Sequence, residues 1–328
     1  MDNDIIYKQL LDDIKKSIEN EFNYYNSSIS EDESISSILL YYANWRRRFI
    51  GQNIRKIIYS QEIKKNCKYI KYKKVIDKIE YKLKNAEDIT SFLSKGVVIN
   101  PYIYNSNSQN SDKDTFLNAF NIHHLHLGKG YKEKDKLFDI NFIERTEDLL
   151  FVLVLNDKVY FLDILGHDFY NEGLFRIIKN NWSQIIEPYK MSGFLPSNNS
   201  MEQKDKKKLL NAGVNMMIEL DNEVYALCEL VTSGHNYTDV RNIDLFIEEI
   251  RTLSEILVEN QVNIIGSIQN IINRKIDRFE YKIKIEKGLV YFFENNSKII
   301  LRYSSEDNQF YISNGLSNQD SYSYSFNK

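Results

Sequence analysis

The chain predicts an α+β fold, and three observations carry that prediction. Apolar residues recur at helical spacing through the first hundred residues. Two strongly apolar runs, Leu149 to Leu155 and Lys158 to Leu165, meet at Asn156-Asp157, a pair that tolerates the left-handed backbone of a tight hairpin. Near the C-terminus, a long helical pattern is followed by four short β-prone stretches. The expected architecture is a helical basic N-terminal region, an antiparallel β-hairpin core with flanking helices, and a C-terminal helix plus β-meander.

The elements follow in order. Ile5, Ile6, Leu10, Leu11, Ile14 and Ile18 predict a first helix, broken by the polar cluster Tyr25 to Ser30. A second starts near Glu33, carries Ile35, Ile38, Leu39, Tyr42 and Trp45, and ends by Gly51. Ile63, Val75, Ile76, Ile79 and Leu83 predict a third through a lysine-rich stretch. The Asn- and Ser-rich segment from Asn105 to Ser111 reads as a connector. Both runs of the hairpin are apolar at nearly every position, as expected of strands covered on both faces. Phe169 to Trp182 reads as an amphipathic helix, and 202–208 as an exposed connector. A second hairpin joins Val214 to Leu220 with Glu223 to Val231 through Asp221-Asn222. One long or broken helix runs from Asn242 to Lys275, before strands at 279–285, 289–293, 298–303 and 309–313. The domain boundaries read from these patterns are 1–100, 112–200 and 206–315, with 316–328 a disordered tail.

Composition narrows the class. At 42% hydrophobic and 27% charged residues the chain is not disordered as a whole. Its longest unbroken apolar run has seven residues, against about 20 for a membrane-spanning helix, so no membrane partner is expected. The opening MDNDIIYKQ lacks the basic and apolar regions of a signal peptide, and two cysteines exclude a disulfide scaffold. A cytoplasmic location is expected. Charge is unevenly placed: residues 1–40 hold three lysines against nine acids, 41–84 fourteen basic residues against three acids, and 215–260 two arginines against ten acids. The central block is either a footprint for phosphates or a solvated face that docks on the acidic segments. Arg46, Arg47, Arg48, Arg55 and Lys56 head it, and Lys129 lies farther along. Tyr69, Tyr72 and Tyr81 among the lysines are packing residues or stacking surfaces for single-stranded RNA.

Three of the five histidines fall within the run Ile122-His-His-Leu-His-Leu-Gly128, and a fourth, His167, follows the hairpin. On a strand, His124 and His126 project to one face and His123 to the other. With Arg145 nearby, the set suits acid–base phosphodiester cleavage: one imidazole takes a proton from a 2′-hydroxyl, another protonates the leaving oxygen, and a cation stabilises charge on phosphorus. Two other readings stand beside it. The histidines could form a divalent-metal set with Asp163 or Asp168, although no HExxH-type motif supports one. They could equally be hydrogen-bonded core residues. His235 reads as a loop residue. Neither a nucleotide-binding glycine motif nor a serine-hydrolase elbow is present.

The order His-x-Leu-x-x-Gly, an arginine before a strand, an apolar hairpin, Ile-x-x-His and then an aromatic resembles the RelE/ParE-type toxins, whose small ribonuclease fold is grouped with barnase and EndoU. That resemblance covers about 50 residues. It implies a twisted antiparallel sheet whose basic residues, His and Tyr cut RNA without metal or other cofactor, and points to His124 or His126, Arg145, His167 and Tyr170. The block from Trp45 to Ile50, with the His cluster and Asn181-Trp182, is also similar to large uncharacterised proteins of bacterial plasmids and phage-defence loci.

The function expected is a metal-independent endoribonuclease, a toxin or abortive-infection effector whose partners are mRNA or tRNA and an inhibitor or phage-encoded trigger. The alternative is a non-catalytic nucleic-acid- or protein-binding module with structural histidines. The stripe Phe246, Ile250, Leu253 and Leu257 reads as core, with a homodimer seam as its alternative.

Overall fold

The computed structural model describes residues 2–24, 29–97, 113–131, 140–155, 157–166, 172–197, 201–276, 278–287, 289–304 and 309–314. Two compact units are present: 1–46 with 240–327, and 47–239. These divisions cut the chain differently from the boundaries read at 100, 112, 200 and 206, because the first unit is built from both ends of the sequence. The expected disordered tail lies outside the described residues.

In the two-ended unit, α1 (Asn3–Tyr24) buries Ile6, Leu10, Ile14, Ile18 and Phe22, one stripe at helical spacing. Phe22 packs edge-on to Trp45 of α2 (Ile35–Arg47), with ring centres 5.5 Å apart. The strands β7 (Tyr281–Glu286), β8 (Leu289–Glu294), β9 (Ile299–Ser304) and β10 (Gln309–Asn314) form the expected antiparallel meander, in the order β10-β9-β8-β7. Gln9 of α1 donates to the Tyr281 carbonyl at 2.8 Å. Glu294 is fully buried and accepts from the amides of Glu280, Asn296 and Ser297, which fixes the turn into β9. The helical pattern before the meander breaks at Asn260 into α8 (Tyr237–Glu259) and α9 (Gln261–Ile272). Phe246, Ile250, Leu253 and Leu257 of α8 are buried, so that stripe is core.

The unit 47–239 is organised on a sheet of order β1-β4-β3-β2. Its strands are β1 (Lys56–Tyr59), β2 (Ile122–His126), β3 (Leu149–Val154) and β4 (Lys158–Leu165). The last three are antiparallel neighbours, with a bulge between Phe151 and Val152, while β1 runs parallel to β4. On one face, Ile122, Leu149, Phe151 and Leu153 share a core with α5 (Thr115–Phe120) and α6 (Gly173–Ile186). Opposite lie α3 (Gln61–Lys65) and α4 (Cys67–Lys84), with Tyr59 of β1 against Phe161 at 5.0 Å between ring centres. Covering both faces is why β3 and β4 are apolar at nearly every position.

Several local expectations change. The single helix through the lysines is two, because Asn66 caps both: its backbone closes α3, and its side chain accepts from the Lys68 amide while donating to Asp163 and to the Ile164 carbonyl. The stretch read as a connector at 202–208 is helix α7 (Gln203–Asn211), anchored by buried Leu210 and by Lys206 paired with Glu172. The second hairpin is shorter than expected, β5 (Ile218–Leu220) and β6 (Glu223–Tyr225), yet its turn has the expected form. Asp221 and Asn222 have φ of 52° and 65°, the paired left-handed geometry of a type I′ turn.

Candidate active site at the β2 edge

The segment before β2 is short and strongly determined. Asp114 Oδ1 accepts from the Leu117 amide at 3.0 Å and caps α5. Asn121 closes the helix in the left-handed region, φ 56°, and the chain turns directly into Ile122. Alternation on β2 then separates the histidines as expected. His124 and His126 pair in register with Phe151 and Leu149 on the α5/α6 side, with ring centres 6.3 Å apart.

Their environments differ sharply. His126 is 1% exposed, beneath His124. His124 keeps 12% side-chain exposure, with Nδ1 3.9 Å from Asp114 Oδ2. The same aspartate thus caps α5 with one oxygen and faces the imidazole with the other. His123 is 6% exposed, and burial, reinforced by His124, Arg47 and Arg55, holds its pKa down to about 3, so the ring is neutral.

His123 and His124 both line a cavity of about 410 Å³ at this edge. Arg48, Lys113 and Lys207 bring positive charge to its wall, and Asp114 is the one carboxylate among the described lining residues. Arg48 is oriented by donating Nη1 to the Gly96 carbonyl at 2.8 Å. Thr115 and Asn211 bond at 3.0 Å across the α5–α7 side. The cavity is a cationic recess with an imidazole in its wall, suited to a phosphate or phosphodiester.

The residues expected from the sequence do not all meet here. Arg145 is exposed in the segment entering β3 and is not among the described lining residues. His167 and Tyr170 lie outside the described residues, as does Asp168. Asp163, the other carboxylate considered for a metal, accepts from Asn66 and from its neighbour's amide. Among the described residues no three His, Cys, Asp or Glu side chains form a metal-holding group. Ser233 Oγ lies 2.9 Å from His235 Nδ1, a contact within one turn.

The cations expected to hold phosphates divide as well. Arg46 donates to the Lys287 carbonyl at 2.9 Å and lies over the Trp45 ring. Arg47 is paired with Asp239, and Arg48 is in the cavity. Arg55 is 4% exposed and donates to the Gly51 carbonyl. A guanidinium carries five donors, so carbonyl-rich turns readily absorb it into a fold. Lys56 and Lys129 are exposed. Sequence reasoning missed Asp114, Lys113 and Lys207 as site residues, because they reach the cavity from α7 and the α5 cap with no spacing motif to connect them.

No helix among the described residues is long and apolar enough to cross a membrane. The chain matches no protein-family model, no curated protein and no solved structure.

Proposed function

We propose that this protein is a metal-independent endoribonuclease acting by histidine acid–base chemistry, in the manner of a toxin or abortive-infection effector. The observation that carries the reading is His124, flanked by Asp114 and opening into a recess with Arg48, Lys113 and Lys207. In the reaction, His124 Nε2 takes the proton of an RNA 2′-hydroxyl as that oxygen attacks the adjacent phosphorus. The bond to the 5′-oxygen breaks, and that oxygen takes its proton from a solvent water, giving a 2′,3′-cyclic phosphate and a 5′-hydroxyl, while the protonated His124 later returns its proton to solvent. Arg48 takes the role of stabilising charge on phosphorus, in place of Arg145, because Arg48 lines the recess. His126 supports His124 from below. The resemblance to RelE/ParE-type toxins, read from the sequence, points to the same chemistry.

The test is cleavage of labelled RNA with and without EDTA, beside His124→Ala and Arg48→Ala, each checked for folding by circular dichroism. Cleavage that survives EDTA and falls by about 10²–10⁴-fold in folded His124→Ala supports the proposal. Loss with EDTA, or cleavage unchanged in His124→Ala, overturns it. One observation favours a second reading, a non-catalytic nucleic-acid-binding module: His126 is sealed and His123 neutral, as structural histidines are. RNA binding without cleavage by the wild type is its signature.

A further inference from the structure

The lysines of α4 do not share one role. Lys68 and Lys71 are paired with Asp148, Lys73 with Asp77, Lys82 with Glu87 and Lys84 with Glu80. Lys74 is exposed, with no acidic partner among the described residues. Ile70, Lys74, Lys78 and Tyr81 follow one another at four, four and three residues, so they share one outward strip of the helix. Tyr81 is 60% exposed. Lys78 donates to the Tyr131 hydroxyl at 2.8 Å and lies over its ring, and Tyr131 is itself 54% exposed. Two cations and two exposed aromatic rings thus lie on or beside this strip. Exposed rings beside cations serve unpaired nucleotides, phosphates on the cations and bases on the rings.

This strip is connected to the cavity. Lys78 lies over buried Phe92 at 5.9 Å, and the next residues, Leu93, Ser94 and Gly96, line the recess that holds His124. The segment 92–97 therefore has one end under the strip and the other in the cavity wall.

We propose that Lys74, Lys78, Tyr81 and Tyr131 form a track for single-stranded RNA leading to the His124 recess. The proposal rests on RNA being the ligand of the function proposed above. Paired bases cannot stack on the two tyrosines, so the track selects single strands over duplex.

The experiment is fluorescence anisotropy of the full chain with a labelled 12-nucleotide oligouridine across a salt series. Lys74→Gln/Lys78→Gln makes the slope of log affinity against log salt shallower by about 1.4, since each phosphate contact on a single strand contributes roughly 0.7. Lys74→Arg/Lys78→Arg restores the slope. Tyr81→Ala and Tyr131→Ala each weaken binding by about 5- to 100-fold at unchanged slope, the range for one stacked base. Lys158→Gln/Lys284→Gln, at a half-buried and an exposed site elsewhere, leaves both quantities alone. An unchanged slope in the first variant, unchanged affinity in both tyrosine variants, or equal competition by duplex RNA overturns the track. Cleavage of long labelled RNA separates the two proposals. If the wild type leaves that RNA uncut while oligouridine binding still depends on Lys74 and Lys78, the ribonuclease reading fails and the binding track stands; if it cuts the RNA while the salt slope ignores Lys74 and Lys78, the track fails and the ribonuclease reading stands.

Discussion

Arg47 and Asp239, the first and last residues of the 47–239 unit, hold each other through two parallel hydrogen bonds. Nε reaches Oδ2 at 2.7 Å and Nη2 reaches Oδ1 at 2.6 Å. Asn121 accepts from Nη1 and Asn236 from Nη2. Both side chains are mostly shielded, at 13% and 16% exposure, so salt screens the pair weakly. Removing one partner strands the other, and Arg47→Ala costs about 3 kcal/mol by the usual value of charged hydrogen bonds. Arg47→Lys keeps the charge, loses the fork and costs about half as much. Urea denaturation at two salt concentrations checks both values; a loss below about 0.5 kcal/mol for Arg47→Ala contradicts the assignment.

His123 gives stability a pH dependence. Its folded pKa is about 3, whereas an unfolded histidine titrates near 6.5. Below pH 6.5 the unfolded chain binds a proton that the folded chain refuses. The contribution is therefore complete above about pH 6.5 and is lost as pH falls towards 3, at up to roughly 1.4 kcal/mol per pH unit. His123→Gln, which carries no proton, flattens this limb. Denaturation midpoints at pH 7.5, 6 and 5 measure the difference, and parallel declines in the two proteins would show that His123 does not set it.

Gly128 and Gly130 make a paired test of the segment that follows β2. A Cβ on Gly128 collides with the Glu144 backbone carbonyl, where the neighbouring chain is held by the Glu144 amide bonded to the Gly130 carbonyl. A Cβ on Gly130 meets only the Glu144 carboxylate, 3.5 Å away, which can swing aside. Gly128→Ala lowers stability by about 1–3 kcal/mol and Gly130→Ala leaves it nearly unchanged. Thermal unfolding of the two variants decides it. Equal midpoints are the contrary result.

What the sequence revealed and what it hid have physical reasons. β3 and β4 were legible because two-face burial leaves an apolar run, and the His124/His126 pairing followed from strand alternation. Asp221-Asn222 was legible because few residue pairs accept two positive φ values. β1 was not, since Lys-Ile-Ile-Tyr is four residues long and its parallel partner, from Lys158, lies about a hundred residues away. The candidate site was half legible. The histidines formed a visible cluster, but Asp114, Lys113 and Lys207 converge on His124 only through the packing of α5 and α7. The arginines misled in the opposite direction: their proximity in sequence suggested a surface, and three-dimensional acceptors drew Arg47 and Arg55 inward.

The pairing of α1 with β7 sets an order for making the protein. The Gln9 to Tyr281 bond joins residues 272 positions apart, and Asp13 likewise meets Lys282. During synthesis at about 5–20 residues per second, α1 waits roughly 14–54 seconds for its strand. Phe22 has Tyr42 and Trp45 within the first moments, but the face that meets β7 does not find its cover until the meander emerges. The 47–239 unit can close in that interval, so a nascent chain stalled before residue 281 holds that unit folded and an α1 without its strand. Such a chain is a natural client for a chaperone.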